Sequence, residues 1–366
     1  MAGDARGTDA VLDDLRKMGV IDWTIHDDAV RPVATGSQTL DALTGGGLRP
    51  GLHCVTGGPA SYKSAFCLQL AYLTAQAGRG ATYLTGEIGR PECMHRLMSL
   101  HMQARAMRGL DAHDAPAWAT MGDVVVGLAE AEDADGLERI VRAARAVDAL
   151  PLDVRELGPR ATSDSDRGLE SGEYNLRYLP TFVRHAQELE ADGDAGEWGD
   201  LHEKLGYCDL LVIDPVNELE TFTTEWSNAR GRWEYSDSHA TEQDRLIEAA
   251  TMLDEFGKRA GVAVVGVFHG NMGGASDERH PGLADYKGTV QIAYRALTLM
   301  KLVAWRNMRW ADRPPAPHGI TDAMGEAVGL FVLKSRRGRT TGRNAPIPFV
   351  ADGAHNLLWE CDRRAE

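Results

Sequence analysis

Gly57-Gly58-Pro59-Ala60-Ser61-Tyr62-Lys63-Ser64 is the stretch on which every other assignment in this chain depends. An apolar run, Leu52-His53-Cys54-Val55-Thr56, precedes it, and Phe66, Leu70, Leu73 and Ala77 recur behind it at roughly helical spacing. The local order is strand, tight loop, helix. A loop in that setting turns backbone N–H groups and a helix N-terminus toward an anion, while a Lys reaches the β- and γ-phosphates and a Ser hydroxyl binds Mg²⁺. On that chemistry Gly57 to Ser64 read as a nucleotide-binding P-loop, with Lys63 and Ser64 as its chemical residues. The pattern G-x-x-x-x-G-K-[ST] wants Gly where this chain has Tyr62. A Tyr serves there only if the position needs no positive φ, because a Cβ makes the left-handed region costly. The plainer reading of the loop alone is a chance Lys-Ser at a helix start.

With 366 residues, 43% of them hydrophobic, the chain has room for one large α/β domain, or for one domain with a small extension. It has no run of about 18 apolar residues, and Met1 to Arg6 lead into no signal-peptide core, so a soluble, cytoplasmic protein is expected, with no membrane partner. Cys54, Cys67, Cys93, Cys208 and Cys361 form no C-x-x-C pair and read as buried thiols, not as metal ligands or disulfides. A net charge of −15 argues against a protein coated with nucleic acid, so any such contact must be local. Acidic residues gather in 128–134 and 189–203, whereas Lys334-Ser335-Arg336-Arg337-Gly338-Arg339 is basic, an asymmetry that permits a basic lumen or interface on an acidic body.

Upstream of the loop, residues 1–33 hold a short helical pattern (Val11, Leu12, Leu15, Met18) that is either packed on its own domain or an arm that docks on a neighbouring subunit. Downstream, Gly80 to Glu87 reads as a second buried strand ending in a carboxylate, placed either to activate a water at a phosphate or simply to begin the next helix. That helix runs from Glu92 to about Arg105. Residues 106–205 say little: an amphipathic stretch over 137–147, a strand over 150–154, a loop at 162–166, a helix over 178–189 and a loop at 192–196. Leu210-Leu211-Val212-Ile213-Asp214 is a continuous apolar run closed by an acid, as expected of a strand buried on both faces with its Asp at the ligand-binding end of a doubly wound sheet. Asp214 is the candidate for the Mg²⁺ shell.

From 219 to 240 a loop interleaves aromatics with Arg230 and Arg232, a composition suited either to stacking on bases and meeting phosphates or to packing of Trp226 and Trp233. A helix over 242–259 comes next, then a strand over 262–268 ending in His269. Lys287 stands in a Gly-rich stretch before a strand over 296–300. Residues 306–324 read as a surface insertion, and Val328 to Gly342 as a strand running into a basic hairpin closed by 347–349 and 357–360.

Thr35-Gly36-Ser37-Gln38-Thr39-Leu40-Asp41-Ala42-Leu43-Thr44-Gly45-Gly46-Gly47-Leu48-Arg49-Pro50-Gly51, ahead of the P-loop, resembles the entry to the RecA-like ATPase core shared by DnaB-type helicases, RadA and RecA recombinases and KaiC-like proteins. The resemblance extends over about residues 34–360 and implies an α/β fold, a central mostly parallel sheet with helices on both faces, binding ATP and Mg²⁺. It points to Glu87 as the catalytic carboxylate and to His269 as a γ-phosphate sensor. It makes Arg230, Arg232 and Lys287 DNA-contacting candidates, and Lys334 and Arg336 fingers that reach a neighbour's γ-phosphate. The K-x-R hairpin and the Trp359-Glu360 ending favour the DnaB-type helicases. By that resemblance the chain is a stand-alone motor, of the kind found in phages, working on single-stranded DNA as a homo-oligomeric ring, a hexamer in that family's manner, with a primase or loader as partner. The alternatives are a RadA- or RecA-like recombination ATPase and a KaiC-like nucleotide-dependent scaffold. Residues 1–33 are then an extension and 34–366 the ATPase domain.

Overall fold

The computed structural model describes residues 32–107, 121–160, 175–193, 196–227, 232–237, 241–269, 281–282, 290–309, 325–342 and 344–361. Its strands are β1 (Gly51–Gly57), β2 (Ala81–Thr85), β3 (Leu152–Glu156), β4 (Leu210–Asp214), β5 (Phe222–Ser227), β6 (Arg232–Asp237), β7 (Ala263–Val267), β8 (Thr298–Ala304), β9 (Glu326–Ser335), β10 (Ile347–Asp352) and β11 (Leu357–Glu360). Nine of them form one sheet in the order β11-β10-β9-β8-β1-β7-β4-β2-β3, and β5 and β6 make a separate ribbon. From β8 through β3 all neighbours in the sheet are parallel, and β9, β10 and β11 extend it antiparallel.

The apolar runs of β1, β4 and β7 are continuous because both faces are covered. In β4, Leu210 and Val212 join one core while Leu211 and Ile213 join the other. The first core is closed by α1 (Gln38–Thr44), α2 (Lys63–Gln76), α3 (Arg90–Met107), α4 (Met121–Glu130) and α5 (Ala134–Asp148), with Phe66, Leu70, Leu97 and Ile140 among its buried residues. The second is closed by α6 (Leu179–Ala191), α7 (Gly196–Lys204), α8 (Glu242–Ala260) and α9 (Val290–Arg295), through Phe182, Leu201, Phe256 and Ile292. This is the expected α/β architecture with helices on both faces of a mostly parallel sheet.

The entry motif has a structural reason. Asp41 Oδ1 accepts from the Thr35 amide at 2.9 Å and its hydroxyl at 2.8 Å. Ser37 caps α1 by accepting from Leu40 N at 3.1 Å, and its hydroxyl donates to Glu360 Oε2 at 2.7 Å. The last strand thus ties down the first helix, and the Trp359-Glu360 ending is part of the frame.

Several local expectations shift. The segment after β4 is not a plain loop: β5 and β6 pair antiparallel from Phe222↔Asp237 to Ser227↔Arg232, as its alternating Thr and aromatic residues favour. The strand expected over 150–154 begins at Leu152, since Pro151 has no N–H for the ladder, and the strand expected over 296–300 runs over Thr298–Ala304. The short helix expected within residues 1–33, the loop at 162–166, Arg230, Lys287 and most of the 306–324 insertion lie outside the described residues.

Candidate nucleotide site

At the C-terminal ends of β1, β2, β4 and β7 four chemical groups converge. The P-loop joins β1 to α2, and Lys63 opens that helix. Gly57 must be Gly: a Cβ there would stand 2.3 Å from Ser61 Oγ and 2.5 Å from the Leu302 carbonyl. Tyr62 overturns one expectation, because the position does demand a left-handed backbone, with φ 65° and ψ 21°. The chain meets the demand with a side chain held from outside the loop. The phenol donates to Glu326 Oε2 at 3.0 Å, and Arg306 Nη1 lies 2.6 Å from the same oxygen. Burial, followed by the hydrogen bond to Glu326 and its charge, pushes the Tyr62 phenol up to about 12.

Lys63 Nζ donates to the Gly58 carbonyl at 2.8 Å, a bond that a phosphate would replace. Burial lowers its pKa, and the Asp214 and Glu87 charges work against that shift, which marks both carboxylates as neighbours of the ammonium. Asp214 is 5% exposed and accepts from the Tyr83 hydroxyl at 2.6 Å. Burial, then the Asp214 charge, raises Tyr83 well above the ordinary phenol value, so it remains a donor to that carboxylate. Register makes the contact: β2 and β4 pair Tyr83↔Val212 and Thr85↔Asp214, and Gly86 N donates to the Asp214 carbonyl at 2.8 Å.

Glu87 comes directly after, and its Oε1 lies 2.9 Å from His269 Nε2. Both side chains are about half exposed, 50% and 43%, so the pair faces outward where substrate would arrive. His269 is anchored by its backbone, whose N–H donates to Asn217 Oδ1 at 2.9 Å. The preceding residue is bound to β1 on both sides, Phe268 N to Val55 O at 2.8 Å and Thr56 Oγ1 to Phe268 O at 3.0 Å. Lys63, Asp214, Glu87 and His269, distant in sequence, are thereby brought together.

These residues fit a magnesium nucleotide. Ser61 is 2% exposed and its hydroxyl has no hydrogen-bond partner, an orphaned donor inside the loop, while a Cβ on Gly58 would meet nothing within 4 Å. Such a loop offers donors and open space for phosphate oxygens. Ser64 and Asp214 would hold the metal, which supplies charge neutralisation at the phosphates when bound.

Lys334 and Arg336 lie elsewhere. β9 is antiparallel to β8, so its end at Ser335 pairs with Thr298, which in turn pairs with His53 near the start of β1. From His53 to Gly57 is about 13 Å of strand, so both cations sit at the edge of the sheet away from their own P-loop. There Lys334 Nζ donates to the carbonyls of Ala293, of Tyr294 at 3.2 Å and of Ala296 at 2.8 Å, and Arg336 donates to Tyr294 O. Cations at the C-terminal end of α9 complement its dipole. Arg232 opens β6; Arg230 and Lys287 lie outside the described residues. Sequence reasoning misses Tyr83, Asn217 and Glu326, whose roles depend on strand register and on turns that no motif spells out.

No helix among the described residues is long and apolar enough to cross a membrane, and they contain no cluster of three or more His, Cys, Asp or Glu that could hold a metal ion. No family model matches the chain. Over 58 residues it is 43% identical to the DNA repair protein RadA of Mycobacterium tuberculosis, in strains CDC 1551 / Oshkosh and ATCC 25618 / H37Rv, a match spanning 16% of this chain and only 12% of that protein. Among solved structures, an isolated ATPase domain superposes with a TM-score of 0.59 at 12% identity, covering 98% of this chain and 100% of that one. A DnaB-like replicative helicase, described with its interactions with primase, superposes with a TM-score of 0.58 at 11% identity over 98% of this chain and 67% of its own. The sheet order, the loop between β1 and α2 and these superpositions agree: the chain has the RecA-like P-loop ATPase fold.

Proposed function

We propose that this chain is the motor domain of an ATP-dependent DNA helicase, related in mechanism to the DnaB type and working as a homo-oligomeric ring on single-stranded DNA. The observation that carries this reading is the division of the chemistry between two edges of one sheet. Lys63, Asp214, Glu87 and His269 gather at one edge, while Lys334 and Arg336 stand at the other, where only a neighbouring subunit's nucleotide is within their reach. In the proposed cycle the P-loop amides and Lys63 hold the β- and γ-phosphates, and Ser64 and Asp214 hold Mg²⁺. Glu87 takes the proton from the attacking water as His269 reports the γ-phosphate. Arg336 and Lys334 of the adjacent subunit offset the charge that develops in the transition state. The β5–β6 ribbon with Arg232, together with Arg230 and Lys287, would meet the strand. Residues 1–33 would dock between subunits, six subunits would close the ring, and a primase or loader would place it on DNA.

Steady-state ATP hydrolysis by the full chain, with and without single-stranded DNA and alongside Lys63→Ala, tests the motor; unwinding of a forked duplex tests the helicase. DNA-stimulated hydrolysis lost in Lys63→Ala, together with directional unwinding, supports it. Hydrolysis indifferent to DNA overturns it. The 58-residue match to RadA favours one second reading, a recombination ATPase, which would show DNA-stimulated hydrolysis without unwinding.

A further inference from the structure

Between Asp214 and the β5–β6 ribbon the chain makes a single 3₁₀ turn, Val216–Glu218, to which no motif assigns a role. Its residues grip both partners of the Glu87–His269 pair. Asn217, 7% exposed, accepts the His269 amide through Oδ1 at 2.9 Å. That amide lies two residues beyond the end of β7, so Asn217 does there what a strand would otherwise do. On the other side Glu218 packs on Gly86, the residue before Glu87: a Cβ on Gly86 would stand 2.9 Å from Glu218 Cβ. Val216 packs the same way on Gly266 of β7, 2.8 Å from where a Cβ would be.

The turn itself is held firmly. Arg177 Nη1 donates to the Glu218 carbonyl and to Glu218 Oε2, each at 2.8 Å, and Arg245 Nη2 donates to the Asn217 carbonyl at 3.2 Å. Arg245 also pairs with Glu220 at 2.8 Å, fixing the stretch that leads into the ribbon. A half-exposed ion pair has little geometry of its own, because solvent competes for both partners. Something buried must set it, and the one buried side chain bonded to either partner's backbone among the described residues is Asn217.

We propose that Asn217 is a positioning residue: through the His269 amide it sets the imidazole against Glu87, and with it the orientation of the carboxylate toward the attacked phosphate. The last step rests on the hydrolytic roles proposed above for Glu87 and His269. The first does not.

The test uses the full chain with ¹⁵N-labelled histidine, in Asn217→Ala, Asn217→Asp and Glu87→Ala. Glu87→Ala gives the imidazole resonances of an unpaired His269. Asn217→Ala is expected to move the His269 resonances to that position, whereas Asn217→Asp, which keeps an acceptor oxygen, leaves them near wild type. Turnover should fall about tenfold in Asn217→Ala with nucleotide affinity within about twofold, the size of one lost hydrogen bond expressed in the barrier. Unmoved resonances in Asn217→Ala, or equal movement in Asn217→Asp, overturn the proposal. Moved resonances with unchanged turnover uphold the positioning and refute the hydrolytic role of the pair instead. A role in stability alone would lower the melting temperature and leave the imidazole signals in place.

Discussion

Replacing Tyr62 separates three effects that meet at one residue. A side chain at φ 65° costs about 1–2 kcal/mol relative to Gly. Against that cost stand the hydroxyl bond to Glu326 and the ring, which lies over Gly353, where an added Cβ would stand 3.2 Å from it. A hydrogen bond to a charged group contributes about 1.5–3 kcal/mol when buried; with Tyr62 only half buried, screening reduces it to about 1 kcal/mol. Tyr62→Phe is therefore expected to lose about 1 kcal/mol, or about 2–4 °C in Tm. Tyr62→Ala keeps the strained backbone and loses the ring as well, for a total of about 2–3 kcal/mol. Tyr62→Gly loses the same contacts but relieves the backbone, and should be about 1 kcal/mol more stable than Tyr62→Ala. Urea unfolding at pH 7, with the slope m unchanged across the series, measures all three. The raised phenol pKa adds a pH signature: neutral Tyr62 is favoured in the folded state, so its contribution is whole below pH 10 and lost as pH rises through about 12. The gap between wild type and Tyr62→Phe should close in that window. A Gly variant no more stable than the Ala variant, or a gap that persists at high pH, refutes the reasoning.

Glu87→Gln should lower ATP turnover by about 10²–10³ with nucleotide affinity within a few-fold, measured by single-turnover hydrolysis and by binding. Burial pushes the His53 imidazole down to about 4, against the pull of the Arg49 carbonyl and the Asp254 charge. The neutral ring is favoured, so stability is whole above pH 6.5 and falls by at most about 3 kcal/mol as pH drops through 4; unfolding of His53→Leu over the same range should lack that slope. Arg336→Ala should lose about 10³ in turnover while still binding ATP, and mixing it with Lys63→Ala should restore hydrolysis above the sum of the two, since one supplies an intact P-loop and the other an intact finger. Mixtures that only add would refute a shared site.

Much of the sheet was legible because strands buried on both faces must be apolar along their whole length: Leu210 to Asp214 and Val262 to Phe268 needed no further signal. Lys63 and Ser64 were legible because a phosphate loop needs backbone amides and a short list of side chains in fixed order. The ribbon over 222–237 was not, since Thr and aromatic residues among charges suit a loop as well as a strand until pairing decides. The φ of Tyr62 was hidden for a related reason: the loop's path is set by Gly57, Ser61 and Leu302 meeting at close range, and Glu326, far away in sequence, makes the strain tolerable.

The linear order of residues was enough for the α/β class, the position of the nucleotide loop and the acidic and basic residues available to it, because these depend on local periodicity and local chemistry. Which of those residues meet was a matter of tertiary packing. Parallel registers aligned Thr85 with Asp214 and carried Glu87 to His269, and the antiparallel return of β9 put Lys334 and Arg336 at the far edge. Register depends on the packing of two faces at once, and a chain written in one dimension does not display it.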